Sequence, residues 1–218
     1  METIEKFRQS ATAPNKAIVL RNLSDLGSVT VDSILSLAGV PIPFCTLLTS
    51  AIKTGLNFRE QRFIKKAAYF LFHAHAVPDG DLNKFLQELE HSQDKKQKGA
   101  EVILDIIDRI DTNSKIEILV NLYSGYVRQQ IDIEGFLRLC NALEKVTYND
   151  LKTLNNHHKS SYELYSTDML ASAGLVQMAI YGSSPTLYTL NDNGILMLTV
   201  GLQEEFDEKE WKSDKFLG

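Results

Sequence analysis

Positive charge is scarce in this chain. Its 218 residues carry 23 Lys and Arg against 28 Asp and Glu, for a net charge of −5. Residues 143–218 hold six basic groups and eleven acidic ones, the wrong balance for a phosphate backbone. Cysteine is equally rare. Cys45 and Cys140 form no C-x-x-C pair and no metal spacing, so they read as ordinary buried thiols in a reducing compartment rather than as a disulfide. The chain contains no His-Glu-x-x-His, Gly-x-Ser-x-Gly, phosphate-cradling glycine loop or Ser-x-x-Lys set, so no catalytic residue is assigned and no cofactor or metal is expected. The opening Met1-Glu2-Thr3-Ile4-Glu5-Lys6 lacks the apolar core of a secretory signal, and the expected location is cytoplasmic.

What is present is a globular balance, 44% hydrophobic and 23% charged residues, with helical periodicity at its centre. Val102, Ile103, Ile106, Ile107 and Ile110 recur at helical spacing; so do Ile116, Leu119, Val120, Tyr123 and Val127, and then Ile133, Phe136, Leu137 and Cys140. Ser114-Lys115-Ile116-Glu117 has the pattern of a capping box, in which hydroxyl and carboxylate satisfy first-turn amides. Asp132 is placed to cap the next helix. Val77-Pro78-Asp79-Gly80-Asp81 is read as ending one helix and capping another. Residues 58–143 are therefore expected to form a helical domain without strands.

An offset of 51 residues aligns Leu71-Phe72 through Phe85-Leu86 with Leu122-Tyr123 through Phe136-Leu137. Each copy reads as helix, tight acidic turn and helix; chance similarity between amphipathic helices is the alternative. The Val77–Asp81 turn with its Phe-Leu helix, and its echo at Ile131-Asp132-Ile133-Glu134, resemble the helical domain of TerB-like proteins over residues 60–145. The second turn lacks the Asp-Gly pair of that family's acidic metal pattern, so the resemblance implies a fold and no metal site.

Beyond Leu143 the period changes. Tyr148–Asn155 and Ser161–Ala173 read as short helices, Leu175–Tyr181 and Thr186–Leu190 as strands flanking a Gly182–Pro185 turn, and Asn191 as the start of a last helix through Leu202. The order of these elements, the Leu170–Leu175 junction and Tyr188-Thr189-Leu190-Asn191-Asp192-Asn193-Gly194 resemble a MarR-like winged helix. The whole is thus expected to be mainly α: a helical bundle with a C-terminal winged-helix-like α+β module at 144–202 carrying one β-hairpin, and a charged tail at 203–218.

Ser33 to Ile52 contains twenty residues without a charge, enough helix to span a bilayer core of about 30 Å. Pro41 and Pro43 interrupt it, and its second half is amphipathic, with Phe44, Leu47 and Leu48 on the apolar stripe. These features favour a packed hairpin within an N-terminal module at 1–57, its three apolar side chains against the helical body, over conditional or permanent membrane insertion.

The remaining candidates are polar. His73 and His75 project about 200° apart on a helix and cannot chelate one ion together. Asp105, Asp108 and Asp111 form an acidic edge that could meet a basic partner. For nucleic acid, the expected recognition helix at 161–169 has no Lys or Arg, and only Lys152, His157, His158 and Lys159 offer local positive character. The composite resembles small bacterial proteins of stress response and phage defence. Its expected role is non-enzymatic, through a protein partner or self-association. The alternatives are a winged-helix DNA-binding regulator and a conditional membrane effector using residues 33–57.

Overall fold

The computed structural model describes residues 58–92, 99–155, 167–179 and 187–206. Phe44, Leu47, Leu48, Cys45, His157, His158 and Lys159, and the expected wing tip at 182–185, lie outside the described residues. In chain order the elements are α1 (Phe58–His75), α2 (Leu82–Ser92), α3 (Gly99–Arg109), α4 (Asn113–Val127), α5 (Ile133–Lys145), α6 (Tyr148–Lys152), α7 (Thr167–Ser172), β1 (Val176–Ala179), β2 (Leu187–Leu190) and α8 (Asp192–Leu196). A π-turn, Met197–Gly201, continues α8. The described residues are mainly α with one two-stranded antiparallel sheet, as the sequence pattern requires. Among the described residues no helix is long and apolar enough to cross a membrane.

The chain divides into two compact units, residues 1–86 and 87–218. In the first, α1 buries Ala67, Phe70, Leu71 and Ala74, a stripe at helical spacing. The turn after it runs through Asp79 in the left-handed region (φ 58°), and Asp81 accepts from the Lys84 amide at 3.0 Å to open α2. That cap matches the sequence reading.

In the second unit α4 is central: it packs on α5 and on the π-turn, while α3 packs on α5. Ile103, Ile106, Ile107, Ile110, Ile116, Leu119, Tyr123, Phe136 and Cys140 are buried as expected, whereas Val120 and Leu137 are half-buried. The buried stripe of α5 runs through Phe136, Leu139, Cys140 and Leu143, which moves Leu137 to its flank. Asp132 caps α5 as read, accepting from Gly135 N–H at 2.7 Å. The start of α4 differs from the expectation. Thr112, extended at φ −128°, accepts from the Lys115 amide, so the helix begins at Asn113 and Ser114 lies inside its first turn. The Ser114–Glu117 capping box is therefore not formed, because a hydroxyl two residues earlier already meets the third amide.

The 51-residue offset survives in the starts of α2 and α5 and in their Asp81 and Asp132 caps. It fails in the turns: the left-handed residue is Asp79 in one and Gln129 in the other, which are not equivalent positions. After α4, Gln129 N–H donates to Tyr126 O and Gln130 N–H to Gly125 O, the paired bonds of a Schellman cap with Gln129 where glycine is usual. Gly174 (φ 75°) closes α7 by the same pair of bonds, from Gly174 to Ala171 O and from Leu175 to Leu170 O.

The strands pair with Val176 opposite Leu190 and Met178 opposite Tyr188. Asn191 then caps α8, accepting from Gly194 N–H at 3.0 Å. The last helix, read from sequence as one run to Leu202, winds instead as five α-helical and five π-helical residues.

Candidate interaction surface

Of the residues singled out for nucleic acid, only Lys152 lies among the described residues. Lys152 is exposed at the end of α6, its ammonium 4.6 Å from the centre of the Tyr148 ring, a cation–π contact within its own helix. The described part of the expected recognition helix, α7, carries Asp168 and Met169 outward. Met169 is 45% exposed and is the large hydrophobic side chain left open among the described residues. Asp168 accepts from the Tyr188 hydroxyl at 3.1 Å, linking α7 to β2. This hydrogen bond, with some desolvation and the adjacent charge, raises the Tyr188 pKa, so the phenol stays protonated. Sequence reasoning missed the pair because the partners stand 20 residues apart and meet only when the strand returns beside the helix.

A second polar group joins α3, α4 and α5. Arg109 Nε lies 3.2 Å from Glu144 Oε2, and Lys115 Nζ lies 2.9 Å from Asp111 Oδ1. Lys115 is 2% exposed although its carboxylate partner is 59% exposed, so the whole side chain is packed and its buried ammonium is met by Asp111 from the surface. Partial burial opposes ionisation of Asp111. The Lys115 hydrogen bond and charge, with backbone donors, outweigh it and lower the pKa. Burial raises the Glu144 pKa against the pull of Arg109, Lys145 and Lys115. Cys140, one helical turn before Glu144, is a free buried thiol. Burial, reinforced by Glu144 and opposed by Arg109, holds its pKa well above the ordinary value. Burial and a raised pKa disfavour the thiolate form that nucleophilic and metal-binding cysteines use. The group therefore ties three helix ends together.

Asp105, Asp108 and Asp111 are all exposed along α3 and just beyond it, as the acidic edge required. His73 is half-buried against Tyr69, with ring centres 4.2 Å apart, while His75, Asp79 and Asp81 are exposed. Among the described residues no three His, Cys, Asp or Glu side chains are grouped to hold a metal ion.

Comparison with protein-family profiles, with curated proteins and with solved structures gives no match. The reading of function accordingly rests on the chemistry of the chain's own surface.

Proposed function

We propose that this chain is a non-enzymatic bacterial protein-interaction or effector protein, working through a protein partner or self-association. The observation that carries the reading is α7. At the position where a winged helix would present basic side chains to phosphate, it presents Asp168 and an exposed Met169. A carboxylate there repels a polyanion, whereas a methionine is an adaptable apolar contact for another protein surface. The net acidity of residues 143–218 points the same way.

The TerB-like identity of residues 60–145 and the MarR-like identity of 144–202 belong to this proposal, as does a place in stress response or phage defence, which rests on resemblance alone. A cytoplasmic location belongs to the proposal as well, supported by the free buried thiol of Cys140. Affinity capture from a bacterial lysate and analytical ultracentrifugation test the function together. Wild-type protein should retain a protein partner or self-associate, and Met169→Lys should abolish that association without unfolding the chain. Recovery of nucleic acid instead, released by salt and unaffected by Met169→Lys, would overturn the reading.

A further inference from the structure

The last helix is held at its two ends by different neighbours. At its start, Asn191 donates from Nδ2 to the Gly174 carbonyl at 3.0 Å while its Oδ1 caps Gly194 N–H. Gly194 passes so close to the β1 entry that a β-carbon there would stand 2.0 Å from the Leu175 carbonyl oxygen. At its end, Asn121 of α4 donates to the Gly201 carbonyl at 2.9 Å and accepts from Gln203 Nε2 at 3.2 Å. Val200 sits over Gly125, where a β-carbon would come within 2.2 Å of its Cγ1.

An uninterrupted α-helix would bring Gly201 to within about 20° of the face of Gly194, seven residues earlier. In the structure Gly194 lies on Leu175 and Leu190, while Gly201 lies on Met197 and on Ile118 and Leu122 of α4. The π-turn lies between these two sets of contacts. Leu202 N–H bonds the Met197 carbonyl five residues back at 2.9 Å. Such an insertion of one residue turns everything downstream by about 100° relative to an α-helix. The exit is also conformationally specific, because Gln203 takes the left-handed region at φ 57° to reach Asn121.

We propose that Met197–Gly201 is a register switch coupling the Gly174–Leu175 corner to helix α4. Both anchors are satisfied together only while the π-turn is present. Release of either one lets the segment wind back toward α and rotates the other anchor out of place. A partner that engages α7 or β1 thereby alters the end of α4, through a discrete element that both sites bias.

Hydrogen exchange of the full chain tests the coupling. Asn191→Ser keeps an N-cap oxygen but loses the 3.0 Å bond to the Gly174 carbonyl, leaving there only the longer Asn193 Nδ2 contact at 3.4 Å. Exchange should rise about five- to tenfold, the effect of losing one such hydrogen bond, both at 174–194 and remotely at 198–204. A rise confined to 174–194 overturns the proposal. Deleting Thr199 removes the inserted residue; in that background Asn191→Ser should act only locally, and a persisting remote response would also overturn the switch. Should Asn191→Ser fail to fold, Asn121→Ala reads the coupling in reverse: exchange must rise at 174–194, and a purely local rise at 198–204 refutes it.

Discussion

Gly125→Ala should destabilise this protein although alanine is the better helix former. Gly125 lies within α4, where replacing glycine would by itself add about 1 kcal/mol through propensity and reduced freedom of the unfolded chain. The new methyl would stand 2.2 Å from Val200 Cγ1, so the side chain or the π-turn must move by more than an ångström to reach ordinary contact. Overpacking of this kind costs about 1–3 kcal/mol, and Val200, β-branched on a helix, has no easy alternative rotamer. The net expectation is a loss of up to about 2 kcal/mol by urea denaturation with an unchanged m-value. Val200→Ala alone should cost about 2 kcal/mol for its two buried methyl groups. The double variant decides the reasoning. A β-carbon at position 125 would lie 3.6 Å from the Cβ of Val200, an ordinary contact, so in the double variant the methyl introduced by Gly125→Ala would occupy space left by Cγ1. The pair should be more stable than the sum of the single effects by about 1–2 kcal/mol. Strict additivity would refute the packing of α4 on the π-turn.

Gln129→Gly should raise stability by about 0.5–1 kcal/mol, read as a higher urea midpoint, because Gln129 holds the left-handed cap after α4 (φ 60°) where glycine is unstrained. The lowered Asp111 pKa means its carboxylate contributes stability above its ordinary range and loses it as pH falls through the folded value. Lys115→Met should therefore flatten the acid limb of the stability curve while changing neutral-pH stability by less than about 1 kcal/mol, since Asp111 is exposed and the methionine keeps the packed stem. In a Cys45→Ser background, Cys140 should react with a maleimide only after denaturation; fast labelling of native protein would contradict its burial and raised pKa.

The helices were legible because their apolar residues recur at helical spacing over several turns, and the Asp81, Asp132 and Asn191 caps because a short acceptor precedes each run. The Ser114 cap misled because two hydroxyls compete within three residues, and the pattern rewards Ser114 and Glu117 while the chain uses Thr112. Burial of Lys115 was hidden by its charge; only the meeting of three helix ends gives its stem somewhere to pack. The π-turn has no signature in Met197-Leu198-Thr199-Val200-Gly201. The bonds that flank it, from Asn191 to Gly174 and from Asn121 to Gly201, join residues far apart in the chain and are invisible to any local pattern. At the candidate surface, the missing basic charge of α7 could be read directly, whereas the Asp168–Tyr188 bond needed the strand pairing.

The claim that this chain recognises protein rather than nucleic acid is tested most directly by fluorescence anisotropy of labelled duplex DNA, titrated with the full-length protein at low and moderate salt. An acidic module with Asp168 and Met169 on its outward helix should give only weak, nonspecific association. Submicromolar affinity that falls steeply as salt is added would contradict the account and put the DNA-binding regulator in its place.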